Sequence, residues 1–87
     1  MIIFGQITVH TQAYQSLLRE LINLRVDAGL SQAALAKQLQ KPASFVGKYE
    51  LGERRLDIVE LMVVLQTLGK PFDKFWENAA IDLPQSL

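Results

Sequence analysis

Apolar residues recur along most of the chain at helical spacing, and each stretch is closed by residues that do not readily continue a helix. From about Thr11 to Ala28, positions Tyr14, Leu17, Leu18, Leu21, Leu24 and Ala28 share one side of a 3.6-residue repeat, and Gly29 stops it. Ser31 then offers a side-chain oxygen as an N-cap, with Leu35, Ala36 and Leu39 on one face of a short helix. Gln40 and Lys41 break that pattern. Pro42 suits a first helical turn, because its missing N–H has no intrahelical partner there. In the helix that follows, Val46 and Tyr49 point one way and Ala43, Ser44, Gly47 and Lys48 the other, until Leu51 and Gly52 end it. Asp57 and Glu60 have the spacing of a capping box, opening a helix with Ile58, Leu61, Met62, Leu65 and Leu68 as its inward face. Gly69 and Pro71 close that helix. Val59 and Val63 lie off its inward face beside Gln66, an edge to be covered by a partner or by the C-terminal helix. Phe72, Phe75 and Trp76 predict a fifth short helix that packs its aromatics on the first and fourth.

The ends of the chain read differently. Residues 2–9, IIFGQITV, are rich in β-branched types, with Ile3, Ile7 and Val9 on one side of an alternation that Gly5 interrupts. This predicts a short strand or a loose arm, and a lone strand would need the same segment of a second chain to satisfy its backbone. The expected organisation is an N-terminal arm or short strand over residues 1–10, a helical domain over 11–80, and a tail over 81–87. In that tail Ile81 and Leu83 stay frayed unless a second subunit meets them.

The stretch around which the rest is organised is residues 31–50, SQAALAKQLQKPASFVGKYE: two short helices joined by a tight turn, the second with a mostly polar outer face. Here the sequence resembles the helix-turn-helix domain of the lambda-repressor and Cro (XRE-like) family of phage and bacterial transcriptional regulators. The resemblance extends from about Tyr14 to Leu68. It is carried by GLSQAALAKQL (residues 29–39), SFVGKYELGERRLD (residues 44–57) and the pair Leu68 and Gly69, in order and at family spacing. It implies an all-α, compact five-helix domain. By position, it implies that Gln32 opens the first helix of the motif near the DNA backbone, that Ala43, Ser44, Phe45, Gly47 and Lys48 contact DNA at the major groove, and that Arg54 and Arg55 lie beside phosphates. The chain departs from the family where Gln40 replaces a usual glycine, where Ala43 and Gly47 replace polar residues, and at Leu51. A non-glycine residue in a left-handed turn costs about 1 kcal/mol. With two base-bonding side chains absent, base reading falls to Ser44, Lys48 and methyl contacts from Ala43.

Arg25 lies in the middle of the first apolar stripe. A guanidinium aimed at a core cannot lose its charge and must find a carboxylate. Glu50, at the inward edge of the second motif helix, is the natural partner, and the resemblance implies the same structural ion pair.

Composition narrows the alternatives. The 87 residues make one small domain, and 49% apolar content is that of a folded chain. The absence of cysteine excludes disulfides and thiolate metal sites and suits a reducing cytoplasm, the expected location. No apolar run approaches the ~20 residues of a membrane span. The opening MIIFG lacks the basic flank and long apolar core of a signal peptide. His10, the only histidine, has no second soft ligand and reads as an exposed helix-flanking residue. Nine basic and nine acidic residues cancel overall, yet residues 31–55 carry a net +3 and residues 56–87 a net −3, so the basic excess sits on the motif.

These features lead to one main expectation: a regulator that binds a palindromic double-stranded DNA site as a homodimer, because one short helix contacts too few base pairs to select a site. Val59, Val63, Trp76, Ile81 and Leu83 are the candidate dimer contacts. A second reading is a protein-interaction module on the same fold, antitoxin-like or an anti-regulator; zero net charge, Ala43 and Gly47 favour it, and Lys48, Arg54 and Arg55 oppose it. No nucleophile and base pair, metal cluster or phosphate loop suggests an enzyme, and no cofactor or metal is expected.

Overall fold

In the computed structural model the backbone is described over residues 2–86 and side chains from Gln12 to Ser86. Five helices follow one another: α1 (Ile2–Asp27), α2 (Gln32–Gln38), α3 (Ser44–Glu50), α4 (Ile58–Leu68) and α5 (Phe72–Ala79). The sequence places the start of α1 near Thr11, but the helix begins at Ile2. The short strand or loose arm expected over residues 1–10 is replaced by helix from Ile2. Among the described residues there is no other strand to take its hydrogen bonds, whereas a helix satisfies them within the segment. The side chains of Ile3, Ile7, Val9 and His10 lie outside the described residues.

The first four helices end alike. The N–H groups of Leu30, Lys41, Glu53 and Lys70 reach back to the carbonyls of Arg25, Ala36, Lys48 and Leu65 at 3.2, 2.9, 2.9 and 3.0 Å. In each case the preceding residue is left-handed, the closure known as a Schellman motif. Three of those four residues are glycine; the fourth is Gln40, at φ 58°. Helix starts are equally local. The Ser31 hydroxyl accepts the Ala34 N–H at 3.0 Å, and Asp57 with Glu60 forms a complete capping box.

Every helix contributes to the core: Leu18, Leu21 and Leu24 from α1, Leu35 and Ala36 from α2, Phe45, Val46 and Tyr49 from α3, Leu61, Val64 and Leu65 from α4, and Phe75 from α5. Burying each of the larger side chains contributes about 1.5–3 kcal/mol. Against it α1 packs on α3 and α5, α2 on α3, and α4 on α5. Two helices are rotated from their expected settings. In α4 the buried face is Leu61, Val64 and Leu65, which leaves Ile58 and Met62 exposed together with Val59 and Val63. In α5 only Phe75 reaches the core. Phe72 and Trp76 stack on each other at 5.9 Å and remain exposed. Ala28, at the end of the first apolar stripe, is exposed as well.

Candidate nucleic-acid interface

The inner side of α3 is fastened by a charged network. Arg25 Nε donates to Glu50 Oε2 at 2.7 Å and Nη2 to Oε1 at 3.1 Å, while Nη1 donates to the Leu30 carbonyl at 2.9 Å. The two side chains are only 13% and 4% exposed. The hydrogen bond to Glu50 raises the Arg25 pKa, against the opposing effect of burial. Glu50 has a further donor, Gln32 Nε2, at 2.8 Å. A carboxylate can only accept, so the Gln32 amide nitrogen faces Glu50. Its oxygen lies over Gly47, 3.3 Å from where a Cβ would stand. A small residue at position 47 thus leaves room for a side chain from α2 to cross onto α3.

The opposite side of α3 is open. Ala43, Ser44 and Lys48 are exposed and Gly47 is half-buried. Among the described residues Lys48 makes no salt bridge. Phe45 does not belong to this face, contrary to its expected place at the groove. It is 8% exposed and meets Tyr49 edge-on at 5.6 Å, because residues 45, 46 and 49 form the inward stripe of so short a helix. Lys41 Nζ and the Arg54 guanidinium sit over its ring at 5.4 and 4.9 Å.

The two arginines that follow α3 have different surroundings. Arg54 makes a two-pronged contact with Glu60, at 3.0 and 2.7 Å, and donates to the Arg55 carbonyl at 3.0 Å. Glu60 also accepts the Asp57 N–H at 3.0 Å, so the α4 capping box and the ion pair share one carboxylate. The Arg54 hydrogen bonds, reinforced by the Asp57 N–H, lower the Glu60 pKa to about 2. Among the described residues Arg55 has no carboxylate within salt-bridge distance; its guanidinium lies over the Tyr14 ring at 4.7 Å. Among the described residues α3 is thus fastened on its inner side and open on its outer side, with Arg55 at its exit unpaired by a carboxylate.

The sequence model of the helix-turn-helix family matches residues 21–75, from the last two turns of α1 into α5. The chain belongs to the XRE-type helix-turn-helix family. A solved structure, an XRE-family like protein from Pseudomonas syringae pv. tomato str. DC3000, is 37% identical with a TM-score of 0.77, over 87% of this chain and 93% of that one. No curated protein matches the chain. The family is one of DNA-binding regulators, and this XRE-type chain has the corresponding five-helix fold.

Three contacts of this XRE-type domain escape a reading of its sequence. Glu60 is legible as a capping residue, but not as the partner of Arg54. Gln32 is assigned to the DNA backbone with no hint of its bond to Glu50. Tyr14 reads as core, and the only signal of more is its polar tip on an apolar body. The candidate dimer contacts fall into two groups. Val59 and Val63 line a groove with Leu39, Lys41 and Phe45, whereas Trp76, Ile81 and Leu83 line another with Tyr14, Leu17 and Arg55. Helix α5 leaves Val59 67% exposed, so the C-terminal helix is not the cover for the α4 edge. Among the described residues no acidic or histidine cluster could hold a metal, and no helix is long and apolar enough to cross a membrane.

Proposed function

We propose that this protein is a transcriptional regulator that binds a palindromic DNA site as a homodimer, with α3 in the major groove of each half-site. The observation that carries the reading is the contrast between the two sides of α3: Glu50 is held by Arg25 and Gln32, while Ser44 and Lys48 stand exposed on the other side. Lys48 is long enough to reach a guanine O6 or N7, Ser44 can bond a base edge, and Ala43 can meet a thymine methyl. Arg55 contacts a phosphate. Arg54, already engaged by Glu60, chiefly orients the loop. The exposed apolar strip on α4, Ile58, Val59, Met62 and Val63, is the proposed dimer seam.

Binding isotherms at several salt concentrations, on a duplex selected from a random library and on scrambled DNA, test the reading. Arg55→Ala weakens binding to all sequences and flattens the slope of log affinity against log salt by about 0.9. Lys48→Ala costs about 1–3 kcal/mol on the selected site and far less on scrambled DNA. If neither substitution changes affinity, α3 does not read DNA and the protein-interaction reading replaces this one.

A further inference from the structure

We infer that Tyr14, on α1, is a positioning residue for Arg55 and so sets the phosphate contact from outside the helix-turn-helix itself. The inference rests on the DNA-binding reading above. Tyr14 lies on α1, ahead of the segment that the family model matches, residues 21–75. It touches two consecutive residues of the loop that leaves α3. Its hydroxyl oxygen accepts the Leu56 N–H at 3.1 Å, and its ring lies 4.7 Å from the Arg55 guanidinium. The first contact fixes the backbone immediately after Arg55; the second fixes the side chain.

The physical consequence is pre-organisation. A loop arginine loses rotamer freedom when it binds a phosphate, and a side chain already held in place loses less. A cation–π contact suits this purpose because it holds the guanidinium by an aromatic ring and spends no carboxylate on it, leaving its charge available for an anion. The adjacent arginine shows the contrast. Arg54 also lies over a ring, that of Phe45, but its fork is occupied by Glu60. Arg55 has the ring without the carboxylate. Tyr14 is itself supported, being partly buried and packed against the core cluster.

A double-mutant cycle on the intact chain tests the inference. Tyr14→Leu removes both contacts, whereas Tyr14→Phe keeps the ring and removes only the hydrogen-bond acceptor. On scrambled duplex at low salt, Tyr14→Leu weakens binding about two- to fivefold, the range expected for an exposed cation–π contact, and lowers the salt slope toward that of Arg55→Ala. On an Arg55→Ala background, Tyr14→Leu has no further effect on affinity. Tyr14→Phe recovers most of the loss, and the ring-current shift of the Arg55 side-chain protons persists in it but not in Tyr14→Leu. Additive losses in the cycle, or an unchanged salt slope in a folded Tyr14→Leu protein, overturn the inference and leave the DNA-binding reading intact. Arg55→Ala without effect on affinity overturns it too, with Lys48→Ala then the remaining check on α3. A wild-type protein that binds no duplex removes both readings together.

Discussion

Gln40, at the end of α2 with φ 58°, occupies a left-handed conformation that glycines occupy at the ends of α1, α3 and α4. Replacing it with glycine relieves the Cβ strain and adds some freedom to the unfolded chain. We expect Gln40→Gly to raise stability by up to ~1 kcal/mol in urea unfolding, and a loss would mean that the side chain makes a contact worth more than the strain. Arg25 and Glu50 call for a different comparison. Removing one member of a buried pair costs about 3–5 kcal/mol, most of it from the charge left behind. Arg25→Leu should therefore be severe, and Arg25→Leu with Glu50→Gln should recover much of the loss; strict additivity would show that the two do not act as a pair. Both residues were legible in the sequence, one as a non-glycine in a turn and the other as a charge in an apolar stripe. Phe45 was not, because its place depends on how far α3 is rotated about its axis, which a seven-residue helix leaves undetermined by periodicity alone.

At the scale of elements, the junction between α3 and α4 is governed by Glu60. Its carboxylate serves the Asp57 N–H and the Arg54 fork at once, and its folded-state pKa falls from the ordinary 4.5 to about 2. A pKa lowered on folding means that the unfolded chain binds the proton more readily. The stabilisation is therefore complete above pH 4.5 and is lost as the pH falls from 4.5 through about 2. Urea midpoints measured across that window should decline for the native protein, and Glu60→Gln should decline less steeply while being less stable at neutral pH. Equal slopes for the two proteins would remove Glu60 as the source. The capping box was readable because both of its residues are local. The Arg54 contact was not, because it depends on the path of the intervening loop.

For the whole molecule, the question is how two copies would meet. The α4 strip carries four exposed apolar side chains, and like charges placed across such a seam cost several kcal/mol. Val63→Glu is expected to shift the dimer dissociation constant upward by more than about tenfold in sedimentation and to weaken binding to a palindrome more than to a half-site. Leu83→Glu, on the other groove, should leave the assembly unchanged; the reverse result would move the seam to the C-terminal tail. The sequence by itself determined the presence of the helices from Ser31 onward, the Ser31 cap and the Asp57–Glu60 capping box, the glycine stops of α3 and α4, the order of the motif and the opposition of Arg25 and Glu50. These follow from contacts within a few residues, from periodicity, or from the need of a buried charge for a partner. Only the tertiary structure decided the rotation of α4 and α5, the burial of Phe45, and the separation of Arg54 from Arg55. The rotations depend on how the helices pack together, and the fates of the two arginines on which side chain packing places beside each: Glu60 for Arg54 and the Tyr14 ring for Arg55, more than forty positions away in the second case.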